Sequence, residues 1–519
     1  FRLKKSLYSL AMLFVAPSLK SSPSGVLPSV ACSHAPQRVD KAPGTLGPSA
    51  PAALAAAAIT VAQRRHHQRR KKTTAVKAKA AAAEAAVKEE LPLPPGKPGN
   101  AMMDLFKYIK DPDEYMAEQV RLYGPIFLTN LFGRKTVIVG GPELVEEFVV
   151  AEKEITKSAL PDTFSQLHTE YGTMNQAGPK HMNTRGNLIK GALCEEAFQA
   201  FLPTIRQRCV ELVSDVSKRK RMKVAKELKD WSVKLFSELF AGEAFDDDAV
   251  KLLYQYNDGL YALLPFKLPF LAFGRGFKAK DALVKMVKDR LEELKANGDI
   301  EKPQYAAMRR LSQSKDENGE DLSTESVAHS VVISVWGAYV ELASLLANSI
   351  YLLSSHEAVR EKAFAAVQET GSEAQKSEYL QAILDETLRV KPPSGGGFRM
   401  AEAELSIGGY RIPEGYVVSA DPRISNADPK LHAKPETFNP ERFIERPTRQ
   451  MPKGSWFPGG IGLHGCPGIP FAMLISKVFL AAWLEKFEDW KPLKGSKEDW
   501  VPIPIRIIGD KYEVEVTQR

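Results

Sequence analysis

The sequence predicts a mainly α-helical fold with a minor β region (α+β), and three observations carry that expectation. From about residue 142 to residue 390, apolar positions recur mostly at the i, i+3, i+4 spacing of helices packed on a core. The β-like pieces are short and gather in two places: Ile126–Leu131 with Thr136–Val139, and, beyond residue 398, Leu405–Ile407 with Gly409–Ile412. A last apolar helix, Ile469–Trp483, follows a glycine-rich loop.

Taken in order, residues 1–90 read as a targeting leader without a packed core. Arg2, Lys4 and Lys5 precede the apolar stretch Leu7–Val15, the form of a signal-peptide core, and the chain is then rich in Ser, Pro, Ala and Arg and poor in acids. Phe14-Val15-Ala16-Pro17 resembles the cleavage motif of plastid leaders in algae with complex plastids, so a plastid address is expected. The chain opens on Phe1 and not Met, so the start of the leader is expected further upstream. Residues 1–95 carry 15 Lys and Arg against 4 Asp and Glu, a net of +11, whereas the whole chain is +8. The rest is therefore about −3, which argues against nucleic-acid binding by the body. No run approaches the roughly 18–20 apolar residues of a membrane span; the longest stretches, Leu10–Val15 and Pro51–Ala62, lie in the leader. Cys32, Cys194, Cys209 and Cys466 show neither CxxC nor Cys/His spacing, which points away from zinc and disulfides and toward a reducing compartment.

The stiff segment Leu91–Gly99, rich in Pro and Gly, opens the second domain, residues 91–519. A helix over Ala101–Tyr123 comes next, then the two early strands around the turn Phe132-Gly133-Arg134, then the helical stretch. Within that stretch Val327–Leu353 is a long apolar helix and Glu378–Val390 an amphipathic one. A body of this size can enclose a cofactor.

The chemistry concentrates in the loop from Phe457 to Gly468. Its glycines free backbone N–H groups to face the Cys466 sulfur, and the following helix adds its positive end; both favour a thiolate. Gly462-x-His464-x-Cys466-x-Gly468 resembles the cysteine loop of the cytochrome P-450 superfamily. Two further motifs support the resemblance. Glu386-Thr387-Leu388-Arg389 puts a carboxylate and a guanidinium on one helical face, and Arg442, in Pro440-Glu441-Arg442-Phe443, can supply a second fork to the same carboxylate.

The resemblance, which runs from about Leu91 to the C-terminus, implies a fold enclosing haem b (iron protoporphyrin IX) between a long central helix and the cysteine loop. It implies Cys466 as the axial ligand of the iron, with Gly462 and Gly468 of the same loop against the haem, and Glu386, Arg389 and Arg442 as a structural triad. His181 and Arg185, one helical turn apart, together with Arg399 and His464, match the family's partners of the haem propionates. The family places an aromatic residue seven before the cysteine, where this chain has Gly459; Phe457, nine before, is expected to cover the sulfur if the loop bulges. On the oxygen side the family's small-Gly-x-acid-Thr motif falls on Gly337-Ala338-Tyr339-Val340-Glu341. The small pair is present, Val340 stands at the acid position and Glu341 at the threonine position; sliding one residue makes Glu341 the acid, followed by Leu342 with no hydroxyl, so the usual relay is altered or absent and Glu341 is the expected proton donor. Phe164, Leu167 and Tyr171 fall in the family's variable substrate loop. Tyr261–Phe277 matches a lid that can touch membrane.

The resemblance leads to a haem-dependent monooxygenase. It would hydroxylate a lipophilic substrate, terpenoid by resemblance to the branch that acts on retinoids and sterols. Its electrons would come from an external ferredoxin or flavin reductase, since the chain shows no flavin or iron–sulfur motif. The missing threonine leaves two alternatives: an oxygen-independent isomerase or lyase acting on fatty-acid hydroperoxides, and a non-catalytic haem- or lipid-binding descendant.

Overall fold

The computed structural model describes residues 91–519 apart from residues 98, 100, 156 and 263; the leader lies outside the described residues. The first expected helix is broken in two. Pro112 has no N–H to give to a helix interior and pushes Asp111 out of the helical region, to φ −153° and ψ 96°. Asp111 then caps the second piece, accepting from the Asp113 and Glu114 amides at 3.1 Å. The two helices are α1 (Ala101–Lys110) and α2 (Pro112–Tyr123). β1 (Ile126–Leu131) and β2 (Arg134–Val139) pair through the two-residue turn Phe132-Gly133, whose φ values of 54° and 72° give the mirror-image turn that suits strand twist. Arg134 is therefore the first residue of a strand that begins two positions earlier than expected.

Helices then dominate, as the periodicity predicts: α3 (Pro142–Val150), the short β3 (Lys157–Ser158), α4 (Asp162–His168), α5 (Gly178–Ala192), α6 (Glu195–Arg219), the short β4 (Arg221–Lys223), α7 (Val224–Ala241), α8 (Asp247–Leu260), α9 (Ala272–Ala296), α10 (Ala306–Ser312), α11 (Thr324–Ser354), α12 (Glu357–Thr370) and α13 (Glu378–Val390). The Ser323 hydroxyl starts α11 by accepting from the Ser326 amide. α11 packs against α7, α9, α12 and α13, and this enclosure explains why it is apolar on nearly every side. By length and composition it could cross a membrane, contrary to the expectation that no segment could, yet most of that span is buried inside the protein. Among the described residues of 262–271 none lies in a helix or strand, and Phe277, expected in the lid, sits on α9. α8 and α9 cross at Gly259 and Gly276, where a Cβ on either would come within 2.7 Å of the other's Cα.

The chain closes with β5 (Arg399–Met400), β6 (Leu405–Ile407), β7 (Tyr410–Ile412), β8 (Val417–Ala420), α14 (Pro422–Asn426), α15 (Glu441–Glu445), α16 (Ile469–Lys486), β9 (Phe487–Pro492), β10 (Trp500–Val501), β11 (Ile507–Ile508) and β12 (Glu513–Gln518). Gly409, expected in a strand, instead makes the β6–β7 turn with Gly408, both at positive φ. The largest sheet runs β1-β2-β8-β5-β3, with β2 and β8 parallel and its other pairs antiparallel. This sheet draws Ser158 and Arg399 into register although 241 residues separate them. A large core fills the helical part, and a smaller one under the sheet gathers Val139, Val145, Phe148, Ile155, Val418 and Phe457.

Candidate active site

The loop before α16 is held by its own backbone. The Cys466 amide donates to the Gly459 carbonyl at 2.7 Å, and the Gly465 amide to the Gly462 carbonyl at 3.1 Å. The Gly468 amide points at the Cys466 sulfur, 3.4 Å away, at the N-terminal end of α16. Cys466 is exposed, but into a cavity of about 1500 Å³ and not to the outer surface. Burial pushes its thiol up from the ordinary range, and the Gly468 amide pulls it back. Phe457 does not cover the sulfur as expected. Its ring packs into the smaller core under the sheet, away from the cavity wall. A side chain at Gly459 has no room either, since a Cβ there would overlap Ile469.

Beneath the loop, α13 carries the carboxylate of Glu386 in full burial. Arg389 Nε and Nη2 donate to its two oxygens at 2.7 and 2.8 Å, and Arg442 Nε and the Asn439 amide donate to Oε1 at 3.0 and 2.7 Å. Arg389 also reaches the carbonyls of Asn426, Pro435 and Thr437. A bidentate Arg389 and a single bond from Arg442 on one acid thus join α13 to the segment around α15. The neighbouring Asp385 carbonyl accepts from Trp456 Nε1 at 3.3 Å, which ties α13 to the residue preceding Phe457.

The expected cations gather on one side of the loop. Arg185 donates from Nη1 to the Gly465 carbonyl. His181, one turn earlier on α5, places Nδ1 3.1 Å from the Thr173 carbonyl and Nε2 3.3 Å from the Leu463 carbonyl. Its ring lies 4.1 Å from that of His464. Arg399 donates to the Ser158 hydroxyl at 2.9 Å, and burial lowers its pKa to about 10 against the attraction of Glu152. Burial, then Arg399, His181 and Arg185, push His464 down to about 3. Gly462, expected against the cofactor, does not line the cavity; it packs on the Glu152 carboxylate. Sequence reasoning missed Glu152, an acid in a turn whose partner, the Leu463 amide, is 311 residues away.

Across the cavity, Gly337, Ala338 and Glu341 of α11 form part of the wall, whereas Val340 does not. Burial pushes the Glu341 carboxyl up to about 8, and its Oε2 is buried without a hydrogen-bond partner. Phe164 and Tyr171 line the cavity. Leu167 does not: it is fully buried against α8 near Gly259. His168, which no sequence motif singles out, lies on the wall with Nδ1 2.9 Å from the Tyr256 hydroxyl and its ring 4.7 Å from Trp336.

These residues fit an iron porphyrin. A thiol faces the cavity, and the volume exceeds what one small ligand needs. Arg399 is a desolvated guanidinium whose side-chain hydrogen bond, among the described residues, is to a neutral hydroxyl, a donor set suited to an acidic arm of the cofactor.

Comparison with known proteins agrees. The cytochrome P450 family model matches residues 93–505. Beta-amyrin 11-oxidase of Glycyrrhiza uralensis is 27% identical over 432 residues, covering 77% of this chain and 86% of that protein. Cytochrome P450 26A1 of Gallus gallus is 26% identical over 426 residues, covering 78% and 86%. The structure described as retinoic acid bound cyanobacterial CYP120A1 superposes with a TM-score of 0.75 at 26% identity, covering 83% of this chain and all of that one. With a match that takes in both the cysteine loop and the central helix, the chain belongs to the cytochrome P450 family and is a haem-binding monooxygenase.

Proposed function

We propose that this enzyme oxygenates a terpenoid lipophile, with Glu341 as proton donor and an external electron-transfer partner, a ferredoxin or a flavin reductase. The observation that carries the reading is Glu341 itself: a carboxyl on the wall of an oxygen-side cavity, held protonated at neutral pH by burial, at the position where the family has threonine. The relatives named for beta-amyrin and retinoic acid support the substrate class. Held by Cys466, haem supplies the oxygen-activating chemistry, the thiolate pushing electron density toward the iron. Arg185 and Arg399 hold its acidic arms, and Ser158 orients Arg399. Gly337 leaves open space where a side chain would project, so the wall of α11 leaves room for oxygen and substrate.

Oxygen uptake with a reductase and a retinoid or triterpenoid tests this directly. Glu341→Gln is expected to lower that turnover about 10²- to 10⁴-fold, the usual weight of a positioned acid. The parent rate should fall as pH rises through about 8, where Glu341 loses its proton, and the Gln variant should lack that limb. Turnover of a fatty-acid hydroperoxide without oxygen or reductant would instead favour an isomerase or lyase, the reading to which the missing threonine points.

The lid supports a peripheral membrane contact as part of this proposal. Phe266, Leu268 and Phe270 are 57, 45 and 69% exposed beside the cavity-lining Tyr261, Ala262 and Pro265. Burying one such side chain is worth about 1.5–3 kcal/mol. Phe266→Ser with Phe270→Ser should therefore cut partitioning onto phospholipid vesicles more than about tenfold; unchanged partitioning refutes the contact.

A further inference from the structure

Glu152 sits in the turn Ala151–Glu154 after α3, 7% exposed, with its carboxylate pressed against the cysteine loop. Both of its oxygens accept from one donor, the Leu463 amide, at 2.9 Å. Gly462 has φ 77°, and the space its Cβ would fill is taken by this carboxylate, so the loop is shaped around the acid. The charge also acts on Arg399, opposing the loss of proton that burial favours there. The Leu463 amide is the carboxylate's hydrogen-bond donor among the described residues, and a glutamine of the same shape would satisfy that amide without the charge.

We propose that Glu152 is a positioning residue that acts electrostatically, as a fixed negative charge behind the Gly462-Leu463 turn. That charge lowers the reduction potential of the iron, so that the external one-electron donor reduces ferric to ferrous haem less readily. A negative charge disfavours an added electron, and inside protein it is screened far less than in water. At an effective dielectric near 20, a unit charge on the order of 10 Å from a redox centre shifts such an equilibrium on the order of tenfold. Leu463 lies three residues before Cys466, so the loop that holds the sulfur is the loop the acid grips.

The inference rests on haem ligation by Cys466, which the reduced carbon monoxide spectrum of the parent protein tests separately. The decisive measurement is a potentiometric titration of the haem-loaded protein. Glu152→Gln keeps an oxygen for the Leu463 amide, so haem content and the carbon monoxide spectrum should stay at parent levels. The ferric–ferrous equilibrium should move about tenfold toward ferrous, about 59 mV for one electron. Glu152→Asp keeps the charge and should stay within about threefold of the parent. A Gln variant within twofold of the parent overturns the proposal. Loss of haem by the Gln variant overturns it too, because the charge would then serve the fold of the loop; so does an Asp variant that shifts as far as Gln.

Discussion

Cys466→Ala abolishes the thiolate band of the reduced carbon monoxide complex and takes oxygen-dependent turnover to background. The substitution removes the sulfur that faces the cavity, and none of the scaffold goes with it. The hydrogen bonds to that sulfur come from the backbone amides of Gly468, at 3.4 Å, and Ile469, which alanine keeps, so little fold stability depends on it. The loop's own bonds, Cys466 N to Gly459 O and Gly465 N to Gly462 O, are backbone bonds that alanine keeps. Arg185 and Arg399 remain to hold the acidic arms of the cofactor, so part of the haem should still bind, without thiolate character. The checks are the carbon monoxide difference spectrum and the stability of the apoprotein, which should shift by no more than about 0.5 kcal/mol. An unchanged spectrum would remove Cys466 from its role.

Glu386→Gln acts in the opposite way, on the fold more than on the iron. Glu386 is fully buried between two guanidiniums, and Arg389 is nearly as buried. A neutral amide of the same size leaves two cations facing each other with no anion between them. Breaking such a buried pair from one side costs about 3–5 kcal/mol. That is a large share of the roughly 5–15 kcal/mol by which domains are stable. Because the Asp385 carbonyl accepts from Trp456, loosening α13 also loosens the approach to the cysteine loop. The expected result is a large drop in the denaturant midpoint with loss of haem from purified protein. Arg442→Ala should cost less, since Arg442 keeps more contact with solvent. A Glu386→Gln stability within about 1 kcal/mol of the parent would show that the triad is not a structural anchor.

The range of each interaction decides how legible it is in the sequence. Cys466, Gly468 and the Glu386–Arg389 pair lie in short segments whose spacing is itself the signal, and α13 begins and ends where the periodicity places it, at Glu378 and Val390. Pro112 signals the break at Asp111, but the helical pattern on both sides outweighs it. Glu152 is invisible because nothing local distinguishes an acid that caps a loop 311 residues later from one facing solvent. Phe164 and Leu167 share a short helix and look equivalent; the approach of α8 decides that one faces the cavity and the other the core. For Glu341, the motif alignment supplies position only, and burial among apolar neighbours supplies the chemistry.

The crossing of α8 and α9 at Gly259 and Gly276 bears on how the cavity admits its cargo. Two helices whose backbones approach this closely cannot slide past each other without first parting, so they are expected to move as one plank. The plank carries the loop bearing Phe266 and Phe270 at one end. A widening of the cavity wall at Tyr261 and Pro265 is then expected to take both helices with it as a collective motion. An alanine at either glycine would act as a wedge, holding the doorway ajar at the expense of its seal.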